Sequence, residues 1–215
     1  MRDVIQLVAF DVDGTLAQGN IWQRVHALAG VTQEEDNEWF RKYYNREITF
    51  FQWASFITEK YKTCIRTRKE FEAVMQEVTL VPHAKETIAA LRPHFALCII
   101  SSGIDYYVRR VGELLGITEM YANYSLAYDK DDIVQDIAYK APEDEAKVHV
   151  LKTLCRSRSL NPSEIVYIGD SSNDIPAFEF TKRGILVGAG NNALKRACWK
   201  HVERIEGVVS IILPK

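Results

Sequence analysis

Residues 8–16 read VAFDVDGTL, an apolar run that ends directly in two carboxylates, Asp11 and Asp13, with Gly14 and Thr15 behind them. Two acids at i and i+2 leaving a buried strand can both reach one crevice only if the strand breaks into a turn, and Gly14 supplies the backbone freedom for that break. A carboxylate is a competent nucleophile towards phosphorus. A second carboxylate beside it can protonate a leaving alkoxide and then take a proton from water. A solvated acidic turn is the alternative, and the rest of the chain has to decide between the two.

Working outward, IQLVAF (5–10), FALCII (95–100), EIVYIG (164–169) and GILVG (184–188) are short and almost continuously apolar, the pattern of parallel strands buried on both faces. Between them lie helical patterns. HAKETIAALRPHF (83–95) is closed by Pro93, IDYYVRRVGELLG (104–116) stops at a C-capping Gly116, and EDEAKVHVLKTLC (143–155) opens with acids suited to a helix N-terminus. Strands alternating with helices predict right-handed crossovers and a doubly wound, parallel α/β sheet with a Rossmann-like core. In such sheets ligands bind beyond the carboxyl ends of the strands. Those ends carry Asp11 and Asp13, then Ser101 and Ser102, then Asp170 and Asp174. Four carboxylates converging on a phosphate would repel one another, and a hard cation with oxygen ligands, Mg²⁺, is the natural counterion.

Residues 18–80 break the alternation. They are rich in aromatics and charges, and NIWQRVHALAG and FFQWASFITEKY read as short amphipathic helices. The expected organisation is therefore an α/β core domain from 1–17 and 81–215, with a small helical cap domain, 18–80, inserted after the first strand. A hairpin is expected within 120–136, around Asp129-Lys130-Asp131-Asp132.

The 215 residues carry 47% hydrophobic content and a formal net charge of −2. That balance argues against nucleic-acid binding through a basic face. Four scattered cysteines form no CxxC pair, which argues against structural zinc and a disulfide framework. The N-terminal apolar run is too short for a secretory h-region, and no stretch approaches a membrane span. A cytoplasmic protein, monomer or homodimer, with no nucleic-acid or membrane partner, is the expectation.

DVDGTL resembles the first motif of the haloacid dehalogenase (HAD) superfamily, IISSG its second, Lys147 in EAKVHVLKTL its third, and IGDSSND its fourth. All four occur in the family's order. Within the superfamily the chain is similar to the phosphoserine phosphatase branch, which carries a helical insertion between its first two motifs, and VPHAKETIAAL, SSGIDYYV and GDSSNDIPAF extend the likeness. The resemblance implies a Mg²⁺-dependent phosphatase acting on a small phosphomonoester through an aspartyl-phosphate.

It also implies roles by position. Asp11 would be nucleophile and metal ligand, and Asp13 the general acid/base with its carbonyl also on the metal. Ser101, with Ser102 and Gly103, would bind the phosphoryl group, Lys147 would neutralise it and orient Asp11, Asp170 and Asp174 would serve the metal, and Asn173 would touch phosphate or substrate. The chain departs from that branch where a substrate-binding glutamate is matched by Asn20, and where a cap arginine is matched by Ile57 or a neighbour. Arg41, Arg46 and Arg66 are the nearby candidates to replace the arginine. A phosphotransferase handing the group to an acceptor alcohol, or a catalytically silent binding module, are the competing functions.

Overall fold

β1 (Leu7–Phe10) has no exposed residue on either face, as its unbroken apolar sequence predicts. The computed structural model describes residues 4–64 and 66–213. The ends of the expected core domain (1–3 and 214–215) and position 65 of the expected cap lie outside these residues. Four helices follow β1: α1 (Ile21–Leu28), α2 (Gln33–Tyr44), α3 (Phe50–Thr63) and α4 (Arg68–Gln76). Then come α5 (Ala84–Leu91), β2 (Ala96–Ile104), α6 (Asp105–Leu115), the hairpin β3 (Met120–Tyr128) and β4 (Val134–Tyr139), and α7 (Glu143–Arg158). The chain closes with β5 (Ile165–Gly169), α8 (Ile175–Thr181), β6 (Gly184–Val187), α9 (Asn192–Ala197), β7 (Lys200–Val202) and α10 (Gly207–Ile212).

The seven strands form one sheet in the order β4-β3-β2-β1-β5-β6-β7. All neighbours are parallel except β3 and β4. All four strands expected from apolar runs are present, and so is the hairpin. β7 was not foreseen: KHV holds no apolar run, and the segment is a strand because it pairs with Ile185–Val187 of β6.

The sheet is covered on both faces, and the strand period of two sorts the side chains. Val8 and Phe10 of β1 join a core with Ile99, Val166 and Ile168, under α1, α5, α6 and α10. Leu7 and Ala9 point to the other face, with Cys98, Ile100 and Tyr167, under α7, α8 and α9. The inserted helices bury Ile21, Val25, Trp53 and Ile57 in the first of these cores, continuous with the sheet.

Each inserted helix has a local reason to start where it does. Asn20 caps α1 by accepting from Trp22 N, and Thr32–Glu35 and Thr49–Gln52 form capping boxes on α2 and α3. Gly116 ends α6 in the left-handed conformation, as expected. The hairpin tip clasps the insertion, with Arg68 N donating to Asp132 O at 2.7 Å.

Candidate active site

β1 is the topological switch point: β2 pairs on one side and β5 on the other. The loops beyond these three strands therefore splay apart around a crevice. It is a cavity of about 340 Å³, closed from above by residues of α1, α2 and α3. Asp11, Asp13, Asn20, Ser101, Ser102, Gly103, Asp170 and Asn173 all line it. Lys147 and Asp174 lie beneath, 2% and 0% exposed.

Lys147 projects from the first turns of α7 and is the electrostatic centre. Its Nζ donates to Asp174 Oδ1 at 2.6 Å and Asn173 Oδ1 at 2.7 Å, and pairs with Asp11 Oδ2 at 3.1 Å. Three donors meet three acceptors, so the ammonium is saturated. Burial works against its charge, but Asp11 and Asp174 outweigh burial and hold its pKa above the ordinary lysine value. Burial, and secondarily the surrounding carboxylates Asp174, Asp170 and Asp13, raises the Asp11 pKa well above the ordinary aspartate value even with Lys147 alongside. Burial likewise pushes Asp13 and Asp170 up to about 6.

Gly14 adopts φ +75°, and a Cβ there would stand 2.1 Å from Asp170 Oδ2. Only glycine lets the acidic turn lie against Asp170. Asp174 is the organiser of the fourth-motif loop: its Oδ2 accepts from Asp170 N and Ser171 N, both at 3.0 Å. Ser101 Oγ accepts from Gly103 N at 3.0 Å, which leaves its own hydroxyl proton to donate. Ser102 is buried, and its carbonyl accepts from Trp22 Nε1.

One oxygen each of Asp11, Asp170 and Asp174 lies within 4.8 Å of the other two. Asp13 Oδ1 is buried without a hydrogen-bond partner. An all-oxygen donor set in which burial and neighbouring carboxylates raise the Asp11 and Asp170 pKa values is what a divalent cation would relieve, so the residues fit such an ion.

Several predicted residues have more local duties than expected. Asn20 lines the cavity, but its Oδ1 is committed to capping α1, at 2.8 Å from Trp22 N. Asn173 is held at both ends, accepting from Lys147 and Ser171 Oγ and donating to Glu143 Oε1 at 3.3 Å. Arg41 and Arg66 pair with Glu47 and Glu70, and neither they nor Arg46 line the cavity.

Sequence reading missed other lining residues, chiefly Trp22, His26, Asp36, Phe40, Trp53 and Glu143. Glu143 was legible only as an acid at a helix start. In the fold its pKa is raised by burial, and it accepts from Tyr124 OH at 2.9 Å. Asp36 reads from sequence as one of a run of α2 charges, and nothing local marks it.

Among curated proteins, the chain is 25% identical over 175 residues to phosphoserine phosphatase of Methanocaldococcus jannaschii, covering 81% of each chain. Among solved structures, one described as a phospho-aspartyl intermediate analogue of phosphoserine phosphatase superposes with a TM-score of 0.81 at 22% identity, over 98% of this chain and all of that one. A HAD family hydrolase from Salmonella enterica subsp. enterica serovar Typhi gives a TM-score of 0.84 at 16% identity, over 99% of this chain and 73% of that one. At those identities the structural likeness establishes the fold. A family model for haloacid dehalogenase-like hydrolases matches residues 5–179, which span the acids, Ser101, Lys147 and the fourth-motif loop, and the chain belongs to that family.

Proposed function

We propose that this protein hydrolyses small phosphomonoesters by way of a phosphoryl group carried on Asp11, with Mg²⁺ held by Asp11, Asp170, Asp174 and the Asp13 carbonyl. The single observation that carries the reading is the placement of a Lys147-braced Asp11 beside Asp13 and Ser101 at the sheet's switch point. The names of the relatives support it. When bound, the cation would neutralise the carboxylates and polarise the phosphoryl oxygens.

The chain's own groups account for the remaining steps. Asp11 attacks phosphorus as the ester P–O bond breaks, and Asp13 gives its proton to the departing alkoxide. A pKa near 6 leaves Asp13 partly protonated close to neutrality, the state that step needs. Water then attacks phosphorus, the Asp11–phosphoryl bond breaks, and Asp13 takes back the proton as inorganic phosphate forms. The Ser101 hydroxyl and the Gly103 region would hold the phosphoryl oxygens, and Lys147 keeps Asp11 aimed.

In this reading residues 18–80 act as the cap over a core of 1–17 and 81–215. Cys64, Cys98, Cys155 and Cys198 are all free, which supports a reducing compartment such as the cytoplasm. No helix among the described residues is long and apolar enough to cross a membrane.

Phosphate release from a panel of phosphomonoesters, with Mg²⁺ and with EDTA, tests the proposal. Turnover should require the cation and vanish in Asp11→Asn. Turnover that survives that substitution would overturn it, and adding acceptor alcohols would reveal transfer in place of hydrolysis.

A further inference from the structure

Behind the cap wall of the cavity lies a buried polar relay that the hydrolytic steps do not use. Tyr61 of α3, 0% exposed, places its hydroxyl 2.8 Å from His26 Nδ1, and His26 of α1 is itself buried. The other ring nitrogen, Nε2, lies 3.5 Å from Asp36 Oδ1 on α2. Burial raises the Tyr61 pKa well above the ordinary tyrosine value, so the phenol stays neutral beside Nδ1. Three helices thus bring a phenol, an imidazole and one carboxylate into a single cluster. Asp36 is only partly exposed, and it lines the catalytic cavity. Burying a Tyr–His pair has a desolvation cost, and the acid beside it is the group of the cluster that reaches the cavity through α2.

The charge of the wall agrees. Beyond the catalytic acids, the charged groups lining the cavity are Asp36 and Glu143, and among the described residues no lysine or arginine lines it. Arg24, which lies close enough to lower the Asp13 pKa slightly, turns its guanidinium to Glu77 and the Val74 carbonyl. Trp22, Phe40 and Trp53 add aromatic rings to the same lining, with the Phe40 and Trp53 centroids 6.3 Å apart. A carboxylate on the leaving alcohol would meet two acids and no cation. An ammonium would meet Asp36 and aromatic surfaces, the combination that recognises amines and quaternary ammonium groups.

We propose that Asp36, aimed by His26 and Tyr61, is a specificity-determining residue, and that the preferred substrate is a phosphomonoester whose alcohol carries an ammonium group and no carboxylate. This rests on the phosphatase reading above. Tyr61 and His26 are positioning residues, acting only through Asp36.

The test compares kcat/KM for phosphorylethanolamine, phosphorylcholine, O-phosphoserine and p-nitrophenyl phosphate in the unaltered protein with Mg²⁺. At least one of the two carboxylate-free amines should exceed phosphoserine by about tenfold to a hundredfold, the range expected for one charged hydrogen bond. Asp36→Asn should lower the ratio of amine to p-nitrophenyl phosphate specificity by a similar factor, mainly through KM. Tyr61→Phe should shift the same ratio in the same direction by less, because the charge remains but is no longer aimed. Asn37→Arg, a cation placed beside Asp36, should move the preference towards phosphoserine. Hydrolysis of p-nitrophenyl phosphate together with a preference for phosphoserine, or an amine ratio indifferent to Asp36→Asn, overturns the inference alone. No turnover of any ester overturns the phosphatase reading and this inference with it.

Discussion

Replacing Lys147 by Met keeps length and volume while deleting the cation that pairs with the buried Asp11 and Asp174. At an effective dielectric near 20, its contacts with Asp174 and Asp11, 2.6 and 3.1 Å long, are each worth about 5–6 kcal/mol of attraction, largely offset by burying the ammonium. The substitution removes the attraction and leaves two buried carboxylates uncompensated, a loss of about 3–5 kcal/mol. For a chain of this size that lowers the thermal midpoint by about 6–20 °C. Calorimetry or denaturant unfolding at pH 7 in EDTA is the assay, repeated at pH 5 and with saturating Mg²⁺. The Asp11 pKa is already raised and rises further without Lys147, so protonation on going to pH 5 should shrink the deficit. Mg²⁺ should stabilise the variant more than the unaltered protein, since the ion replaces the missing positive charge. A midpoint unchanged at pH 7, or a deficit equal at both pH values, would refute the electrostatic account.

Three further outcomes follow from the same geometry. Asp13 and Asp170 have folded pKa values of about 6 against 3.8 ordinarily, so their neutral forms favour the folded state. That contribution is complete below about pH 4 and is lost as pH rises through 6, by about 2 kcal/mol per group after allowing for the open cavity. Metal-free protein should therefore melt lower at pH 7 than at pH 5, and Mg²⁺ should raise the midpoint more at pH 7, as thermal scans with and without EDTA would show. Gly14→Ala places a methyl 2.1 Å from Asp170 Oδ2 at a positive φ, costing about 1–2 kcal/mol in backbone strain and displacing that acid. Titration calorimetry should find Mg²⁺ affinity sharply reduced, and unchanged affinity would contradict the assigned ligand set. Thr32→Ala removes a capping box at the start of the helix that carries Asp36, which should cost about 1 kcal/mol in denaturant unfolding.

Most of the sheet was legible in the residues because buried parallel strands leave an unmistakable mark. LVAF, IVYIG and GILV are apolar on both faces since helices cover both faces. β7 left no such mark, because its partner strand and not its composition makes KHV extended. The middle of the insertion was legible as helix only in part: the Thr32–Glu35 capping box was there to be read, but α2 buries no residue completely and so shows no clean apolar stripe.

By itself the sequence determined which acids, serine and lysine gather at the floor of the cavity. Acids, serine and lysine sit at strand ends and first helical turns, and a parallel sheet sends every such end to one edge. VAFDVDGTL places Asp11 and Asp13 at the end of its strand, the other apolar runs bring that end to the shared edge, and the need for glycine at position 14 follows from the turn. Only the tertiary structure decided the other wall. Asp36, His26 and Tyr61 are spread over three helices and 35 residues, at positions where an acid, a histidine and a tyrosine are each ordinary. Their relation depends on how those helices pack over the sheet, which no local spacing encodes. The tertiary structure also showed that Asn20 is a helix cap and that Arg41, Arg46 and Arg66 are not among the cavity-lining residues, leaving a negative, aromatic wall on the cap side of the cavity.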